Sequence, residues 1–234
     1  KALVDRGILE IEAIEVDRLN DSAAEKEMPT LNEFQQEATN QINSQFEDKN
    51  VVLLHGITAS GKTEIYIKLI EEQLQLGKQV LYLLPEIALT SQIINRLKAV
   101  FGEKAGIYHS KFNDSEQVEI WNKVLEFESG KSSKYQLILG TRSSLFLPFK
   151  NLGLIIVDEE HETSFKQIDP APRYSARDTA IVLANLHSAK VLMGTATPSF
   201  ETFYNCKLNK YGYVYLNKRH HNVELPEILI ADLA

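Results

Sequence analysis

Residues 56–63 of the chain read GITASGKT. This stretch fits the phosphate-binding pattern G-x-x-x-x-G-K-[S/T] at every fixed position. The apolar, β-branched run at 51–55 is typical of a buried strand, and residues 64–75 carry apolar side chains at helical spacing. A strand, a glycine-containing loop and a helix in this order present backbone N–H groups and a helix N-terminus to a polyphosphate. The pattern therefore predicts a nucleoside triphosphate site, a P-loop.

The residues of this loop have different expected roles. Glycine at positions 56 and 61 permits backbone angles and close approaches that a Cβ would block. The amine of Lys62 is expected to reach the β- and γ-phosphates, and the hydroxyl of Thr63 is expected to ligate Mg²⁺. The predicted nucleotide contacts of the loop are Gly56, Thr58, Gly61, Lys62 and Thr63.

Composition restricts the class of protein without deciding the function. A chain of 234 residues has room for one large α/β domain. Its net charge of −7 argues against non-specific coating of nucleic acid, although a local basic strip remains compatible with it. The single cysteine, Cys206, excludes an internal disulfide and disfavours a cysteine-based zinc site. Without a signal peptide or a membrane-spanning stretch, these features predict a cytoplasmic protein with no zinc in this segment and no membrane contact.

The chain divides near residue 30. Residues 1–29 read as the tail of a preceding domain, with a strand at 8–16, followed by an acidic linker. Residues 30–234 read as one α/β domain. Because the chain starts at Lys1 and ends with the apolar run 228–230, we expect it to be part of a longer protein.

Strands and helices alternate regularly after residue 30. A capping-box spacing at Thr30 and Glu33 predicts a helix to about residue 46, and Asn113 with Glu116 predicts a second box. The predicted strands are 51–55, 79–84, 105–108, 137–140, 154–158 and 190–194. The predicted helices between them are 64–75, 89–101, 116–127 and 176–186. This order predicts a P-loop NTPase of the α/β class, with a mostly parallel sheet covered by helices on both faces.

A carboxylate cluster follows the predicted strand at 154–158, where the chain reads LIIVDEEH. Ligands of open α/β sheets bind beyond the carboxyl ends of the strands, so Asp158 is expected beside the P-loop, sharing Mg²⁺ with Thr63. Glu159 is then placed to orient and deprotonate an attacking water. Taken alone, the cluster is equally typical of an acidic turn. The upstream P-loop favours the catalytic interpretation, in which Lys62, Asp158 and Glu159 are the catalytic residues.

A third motif, GTATP at 194–198, ends another predicted strand at the same sheet edge. The hydroxyls of Thr195 and Thr197 are predicted to bond Glu160 or His161, which would couple the two motifs. The alternative for His161 is a turn histidine with a satisfied ring, and small hydroxyl residues at a strand end are also common loop formers.

In this order the three motifs resemble motifs I, II and III of superfamily 2 helicases. Within that superfamily, four strings resemble the primosomal replication-restart DNA helicases: PEIALT at 85–90, HS at 109–110, GTRSSLF at 140–146 and DEEH at 158–161. Leu31 and Asn32, followed by Gln35, resemble the family's adenine-reading segment. The resemblance covers about residues 30–234, and residues 1–16 look like the end of the family's winged-helix domain.

The resemblance implies the first RecA-like lobe of a two-lobed ATP-dependent motor. Such a motor moves 3′ to 5′ along single-stranded DNA and acts in restart of stalled forks in the bacterial cytoplasm. ATP and Mg²⁺ are its implied cofactors. Single-stranded or forked DNA, replication-restart proteins and single-stranded-DNA-binding protein are its implied partners. The second lobe, with an arginine finger, and a cysteine-rich zinc module would follow Ala234, so the present segment alone is expected to be nearly inactive.

The expected DNA face combines two regions. Residues 85–92 join a strand end to a helix start, where N–H groups and a hydroxyl can meet a phosphate. Read singly, these residues fit a helix cap and Arg142 fits a surface arginine, but the resemblance favours DNA. The stretch 165–174 interleaves aromatic and basic side chains, as single-strand binding does. An ordinary proline-stiffened loop is the alternative, and Pro172 stands where the resembled family often has Trp. The predicted DNA-binding residues are Glu86, Thr90, Arg142, Ser143, Phe165, Lys166, Arg173, Tyr174 and Arg177.

Two other functions are compatible with a P-loop. A small-molecule kinase or a GTP-binding switch would show a lid or a base-reading Asn-Lys-x-Asp string, and the sequence has neither. A non-catalytic docking module for replisome assembly would use the nucleotide as a structural ligand. The intact set Lys62, Thr63, Asp158 and Glu159 speaks against a degenerate site.

Overall fold

The computed structural model describes residues 28–86, 88, 91–109, 112–128 and 134–218. The predicted strand at 8–16, most of the predicted linker and the Thr90 hydroxyl lie outside these residues. No helix in the described part of the chain is long and apolar enough to cross a bilayer.

Seven strands form one sheet in the order β3-β4-β2-β5-β8-β1-β9, and every neighbouring pair is parallel. A separate antiparallel hairpin consists of β6 and β7. The strands are β1 Val51–Gly56, β2 Gln79–Leu83, β3 Ala105–Tyr108, β4 Leu137–Gly140, β5 Leu152–Asp158, β6 Lys166–Gln167, β7 Tyr174–Ser175, β8 Lys190–Thr195 and β9 Gly212–Leu216. The predicted α/β class and parallel sheet are confirmed.

Six α-helices are described: α1 Glu33–Asp48, α2 Lys62–Gln75, α3 Ser91–Phe101, α4 Asp114–Leu125, α5 Ala176–His187 and α6 Phe200–Lys207. The chain also forms short 3-10 turns at Gly102–Lys104, Arg142–Phe146 and Thr163–Phe165. The predicted helices are confirmed within a few residues at their ends. The sequence analysis missed α6 and β9.

The sheet is buried on both faces, which explains the continuous apolar runs of its central strands. Successive side chains of a strand point to opposite faces. Accordingly, Leu154 and Ile156 of β5 belong to one core cluster, whereas Ile155 and Val157 belong to the other. Helices must cover both faces of such a sheet, and the alternating order of elements supplies them.

The first capping box lies two positions later than predicted. Asn32 caps α1: its Oδ1 accepts from the backbone N–H of Gln35, and Gln35 Oε1 accepts from the backbone N–H of Asn32, both at 2.9 Å. Thr30 and Glu33 have the same spacing, and spacing alone does not distinguish the two registers. The second predicted box, Asn113 with Glu116, is confirmed by two reciprocal bonds of 3.0 Å.

Strand order places the motifs together. Strand β8 lies between β1 and β5, and all three run in the same direction. Their carboxyl ends therefore bring residues 56–63, 158–161 and 195–198 to one edge of the sheet.

Candidate nucleotide-binding site

A cavity of about 380 Å³ opens at this edge. It is lined by Ala59, Ser60, Gly61, Lys62, Thr63, Glu64, Arg96, Asp158 and Glu159. Five of the predicted site residues, from two distant parts of the sequence, thus face one space. Gly56 and Thr58 belong to the same loop but do not line the cavity.

The loop is shaped for an anion. Gly61 has φ +83°, in the left-handed region that favours glycine, and it directly precedes α2. The Lys62 amine donates to the Gly56 carbonyl at 3.0 Å, so it lies across the loop. The buried Ser60 hydroxyl has no hydrogen-bond partner among the described residues. A cation, an unused hydroxyl and the N-terminus of a helix fit a polyphosphate.

Gln35 supports this loop from within the protein. Its side chain is fully buried. The amide nitrogen donates to the Gly61 carbonyl at 3.3 Å, and the amide oxygen belongs to the cap of α1. Gln35, predicted to read adenine, thus contacts the phosphate loop in this structure, and both its amide nitrogen and its amide oxygen are hydrogen-bonded within the protein.

Asp158 is held by two tyrosines. At the end of β5, its carboxylate accepts from the hydroxyls of Tyr66 and Tyr82, each at 3.0 Å, and from the Glu159 backbone N–H at 3.1 Å. Burial raises the pKa of Asp158, and the Glu159 charge acts in the same direction, whereas the two tyrosines and Lys62 oppose the shift. Both tyrosine rings are buried in the core. A buried tyrosine hydroxyl needs a partner, and this was the available sequence signal for a contact that the sequence analysis missed.

Tyr66 also accounts for a glycine in the third motif. A Cβ at Gly194 would lie 1.6 Å from the Tyr66 hydroxyl oxygen. Only glycine leaves room for the hydroxyl that reaches Asp158. The P-loop helix, the strand β5 and the start of the third motif are therefore packed as one unit.

Replacing Tyr82 with Phe is expected to raise the pKa of Asp158 further. One hydrogen bond to the ionised carboxylate is lost, which costs about 1.5–3 kcal/mol, or roughly one to two pKa units. In its predicted role as a Mg²⁺ ligand, Asp158 must be ionised, so Mg²⁺-dependent nucleotide binding should fail at a higher pH as the solution is acidified. Nucleotide affinity measured from pH 5 to 8 gives the pH at which binding is lost, and Tyr108→Phe is the control. If Tyr82→Phe lost nucleotide binding at the same pH as the wild type, the expected effect on the pKa of Asp158 would be ruled out.

Glu159 and His161 meet the third motif. The backbone at Glu159 has φ +49°, and its carboxylate accepts from the Thr195 hydroxyl at 3.4 Å. The two ring nitrogens of His161 lie 2.8 Å from the Thr195 hydroxyl and 3.4 Å from that of Thr197. His161 Nδ1 also lies 3.6 Å from Glu159. The structure brings these predicted coupling residues together.

Of the two partners predicted for the Thr195 and Thr197 hydroxyls, His161 is the one found, and the side chain of Glu160 bonds other residues. Its side chain is fully buried. It accepts from the Ser199 backbone N–H at 2.6 Å, from the Ser199 hydroxyl at 2.9 Å and from the Thr202 hydroxyl at 2.8 Å. Arg177 approaches it at 3.3 Å. The donors at the start of α6 satisfy this carboxylate, and α6 was not predicted from the sequence.

Part of the expected DNA face is assembled beside the cavity. Arg142 follows β4, forms an ion pair of 3.0 Å with Glu86 and donates to the Lys166 carbonyl at 3.1 Å. The Ser143 hydroxyl is buried without a partner among the described residues. Tyr174, half-buried, meets the edge of Phe146, which is 55% exposed and was not predicted as a site residue.

Two predicted DNA contacts are wrong. Phe165 is 1% exposed and packs in the core, so it offers no stacking face. Arg177 has a side chain only 13% exposed, and it pairs with Glu160 and Asp178. An aromatic and basic composition does not reveal which side chains the chain turns inward. Lys166 and Arg173 are exposed on the β6–β7 hairpin, where the Arg173 Nε donates to the Ile168 carbonyl.

A P-loop on a parallel sheet, facing an Asp-Glu pair at the end of a nearby strand, defines a P-loop NTPase with a RecA-like fold. The sequence profile of the DEAD/DEAH box helicases matches residues 32–205. The chain belongs to the DEAD/DEAH box helicase family.

Curated relatives agree with the predicted resemblance. The chain is 47% identical over 206 residues to the replication restart protein PriA of Rickettsia prowazekii, covering 88% of this chain and 30% of the relative. It is 38% identical to the Bacillus subtilis protein of the same name, covering 100% of this chain and 29% of the relative. The chain thus spans less than a third of these relatives.

Solved structures share the fold at low identity. The E. coli DExH-box NTPase HrpB aligns with a TM-score of 0.55 at 14% identity, over 81% of this chain and 22% of its own. The type ISP restriction-modification enzyme LlaBIII aligns with a TM-score of 0.51 at 20% identity, over 74% of this chain and 13% of its own.

Proposed function

We propose that this chain is the ATP-binding lobe of an ATP-dependent DNA helicase that restarts stalled replication forks, moving 3′ to 5′ along single-stranded DNA. The observation that carries the proposal is the Asp158–Glu159 pair, which faces a complete P-loop across one cavity. The similarity to proteins named replication restart protein PriA supports the proposed role in replication restart. Forked DNA, other restart proteins and single-stranded-DNA-binding protein are the proposed partners.

The proposed chemistry divides among the residues of the cavity. The Lys62 amine and the N–H groups of the loop, including those near Gly56, Thr58 and Gly61, would bind the triphosphate. Thr63 and Asp158 would hold Mg²⁺, which neutralises phosphate charge when bound. No group of three or more acidic, His or Cys side chains forms a metal site in the described residues. Mg²⁺ usually keeps several waters and shares substrate phosphates, so two protein ligands are a fitting set.

Glu159 would accept a proton from the attacking water. Its hydrogen-bonded neighbours would couple the nucleotide site to the third motif. A series of hydrogen bonds links the cavity to the third motif and runs from Glu159 through Thr195 and His161 to Thr197. Glu86, Arg142, Ser143, Lys166, Arg173 and Tyr174 would contact DNA, and the hairpin that carries the last three starts a few residues after Glu159. A movement of DNA on the hairpin can therefore reach the catalytic carboxylate through a short stretch of backbone.

The function is tested with Lys62→Ala in the full-length protein, assayed for ATP binding and for ATP hydrolysis with and without single-stranded and forked DNA. Both binding and hydrolysis should fall, because the amine contacts phosphates before and during the reaction. Lys68→Ala, on the same helix in an exposed pair with Glu71, is the matched control. The chain 1–234 alone, which covers 30% and 29% of two relatives, is expected to hydrolyse ATP slowly, because the resemblance places the second lobe and its arginine finger outside this segment. DNA-independent hydrolysis that survives Lys62→Ala would refute the assignment.

Tyr174→Ala in the full-length protein is expected to weaken stimulation by DNA while leaving the DNA-free rate nearly unchanged. A stacking loss of roughly 1–3 kcal/mol per base corresponds to about 5- to 150-fold more DNA for half-maximal stimulation. Phe146→Ala, which removes the exposed ring beside Tyr174, should act in the same direction. Phe165→Ala is unsuitable, because it would open a cavity in the core. ATPase titrations with single-stranded DNA provide the measurement, and Phe200→Ala, at a ring 81% exposed on α6, is the control. Equal DNA titrations for all variants would show that the hairpin is only a connector.

A further inference from the structure

The nucleotide cavity contains a second cation in addition to Lys62. Arg96, on α3, lines the same space as the P-loop, Asp158 and Glu159. Its guanidinium forms an ion pair with Glu64 in the first turn of α2. The side chain of Arg96 is 41% exposed, whereas that of Glu64 is 14% exposed. The arginine is therefore accessible from the cavity, and the glutamate is the fixed partner.

The balance of charge in the cavity favours a role for this arginine. The lining carries two cations, Lys62 and Arg96, against the three carboxylates of Glu64, Asp158 and Glu159. A triphosphate adds several negative charges to a wall that already has an acidic excess. A planar guanidinium with five donors matches phosphate oxygens better than any other side chain. Only part of its donor set is used by one carboxylate oxygen of Glu64.

The position of Arg96 indicates which end of the nucleotide it would meet. Its partner Glu64 follows Lys62 and Thr63 in the first turn of α2, and Asp158 lines the same cavity. The guanidinium is thus held at the end of α2 that carries Lys62 and Thr63. The terminal phosphates are expected at that end, because the Lys62 amine is predicted to reach the β- and γ-phosphates.

We propose that Arg96 is a triphosphate-binding residue of this lobe, and that Glu64 holds its guanidinium at the cavity wall until a nucleotide enters. This inference rests on the proposed binding of ATP. The entering phosphates compete with the Glu64 carboxylate for the same donors. Arg96 then contributes to the preference for a triphosphate over a diphosphate, and Glu64 opposes binding.

The test compares the affinities of ATP and ADP, each with Mg²⁺, by calorimetry on the full-length protein. R96Q is expected to weaken ATP binding about 10- to 100-fold, the range of one charge-assisted contact, and to change ADP binding much less. R96K should recover part of the loss, because it keeps the charge without the planar fork. K98Q, on the same helix but outside the cavity lining, is the matched control and should behave as wild type.

A double-mutant cycle tests the role of Glu64. E64Q should tighten ATP binding. Adding E64Q to R96Q should give a clearly smaller gain in affinity than adding it to the wild type, because the two residues are coupled. Equal gains in both backgrounds, or equal losses of ATP and ADP binding in R96Q, would overturn the inference while leaving the proposed function intact. A wild-type protein that binds neither nucleotide would overturn both.

Discussion

Glu159→Gln in the full-length protein is expected to lower ATP turnover by about 10²–10⁴-fold, the range of a lost general base, while nucleotide affinity stays nearly unchanged. The carboxylate lines the cavity next to Asp158 and accepts from the Thr195 hydroxyl at 3.4 Å. Glutamine keeps the shape and one acceptor oxygen but cannot take a proton from water. A residue that acts mainly once water attacks affects the chemical step and not ground-state binding.

Single-turnover hydrolysis and equilibrium nucleotide binding, measured on the same preparation, separate the two effects. Glu162→Gln is the matched control. The Glu162 carboxylate lies 3.8 Å from His161 Nε2 but does not line the cavity. Its turnover should stay close to that of wild type. If Glu159→Gln hydrolysed ATP at the wild-type rate, the assignment of the base would be wrong.

Glu160→Ala is expected to lower the free energy of unfolding by about 3–5 kcal/mol, the cost of removing one partner of a buried ion pair. The substitution removes the buried carboxylate that pairs with the Arg177 guanidinium, and in the described part of the chain only exposed carboxylates, such as that of Asp178, remain beside it. It also removes Oε1, which accepts from the backbone N–H of Ser199, and Oε2, which accepts from the hydroxyl of Thr202. The effect is therefore on stability, although Glu160 stands next to the proposed catalytic base, Glu159, in sequence.

Denaturant unfolding of the variant and of Glu201→Ala provides the comparison. Glu201 faces the same guanidinium at 4.0 Å, but its side chain is 65% exposed, and an exposed pair contributes less than about 1 kcal/mol. Similar midpoints for the two variants would mean that Glu160 has no special structural role.

The central strands could be predicted from the sequence because a sheet covered on both faces requires continuous apolar runs. Strand β9 was missed for the opposite reason. It lies at the edge of the sheet, where Tyr213 and Tyr215 are exposed in alternation with buried residues. Its pattern is that of a half-buried strand, and it follows a short helix, α6, that was not predicted from the sequence either.

The cavity itself was predictable, whereas the contacts that support it were not. Lys62, Thr63, Asp158 and Glu159 belong to motifs whose spacing carries chemical meaning. The partners of Asp158, by contrast, are Tyr66 and Tyr82, which occupy ordinary core positions of α2 and β2. Only the three-dimensional packing shows that their hydroxyls meet at the end of β5. The inward turn of Phe165 is a tertiary effect of the same kind.

The position of β1 in the sheet has a consequence for synthesis on the ribosome. Among the described strands, β1 pairs with β8 and β9, which follow it by well over a hundred residues in the chain. A nascent chain that ends before Lys190 already contains the whole GITASGKT sequence, but neither strand that flanks β1 has yet been made. Such long-range pairing delays folding and leaves apolar strands exposed in the meantime. Val51–Gly56 therefore stays without its partner strands until residues 190–216 have been made, and the sheet that carries the nucleotide site cannot be completed before then.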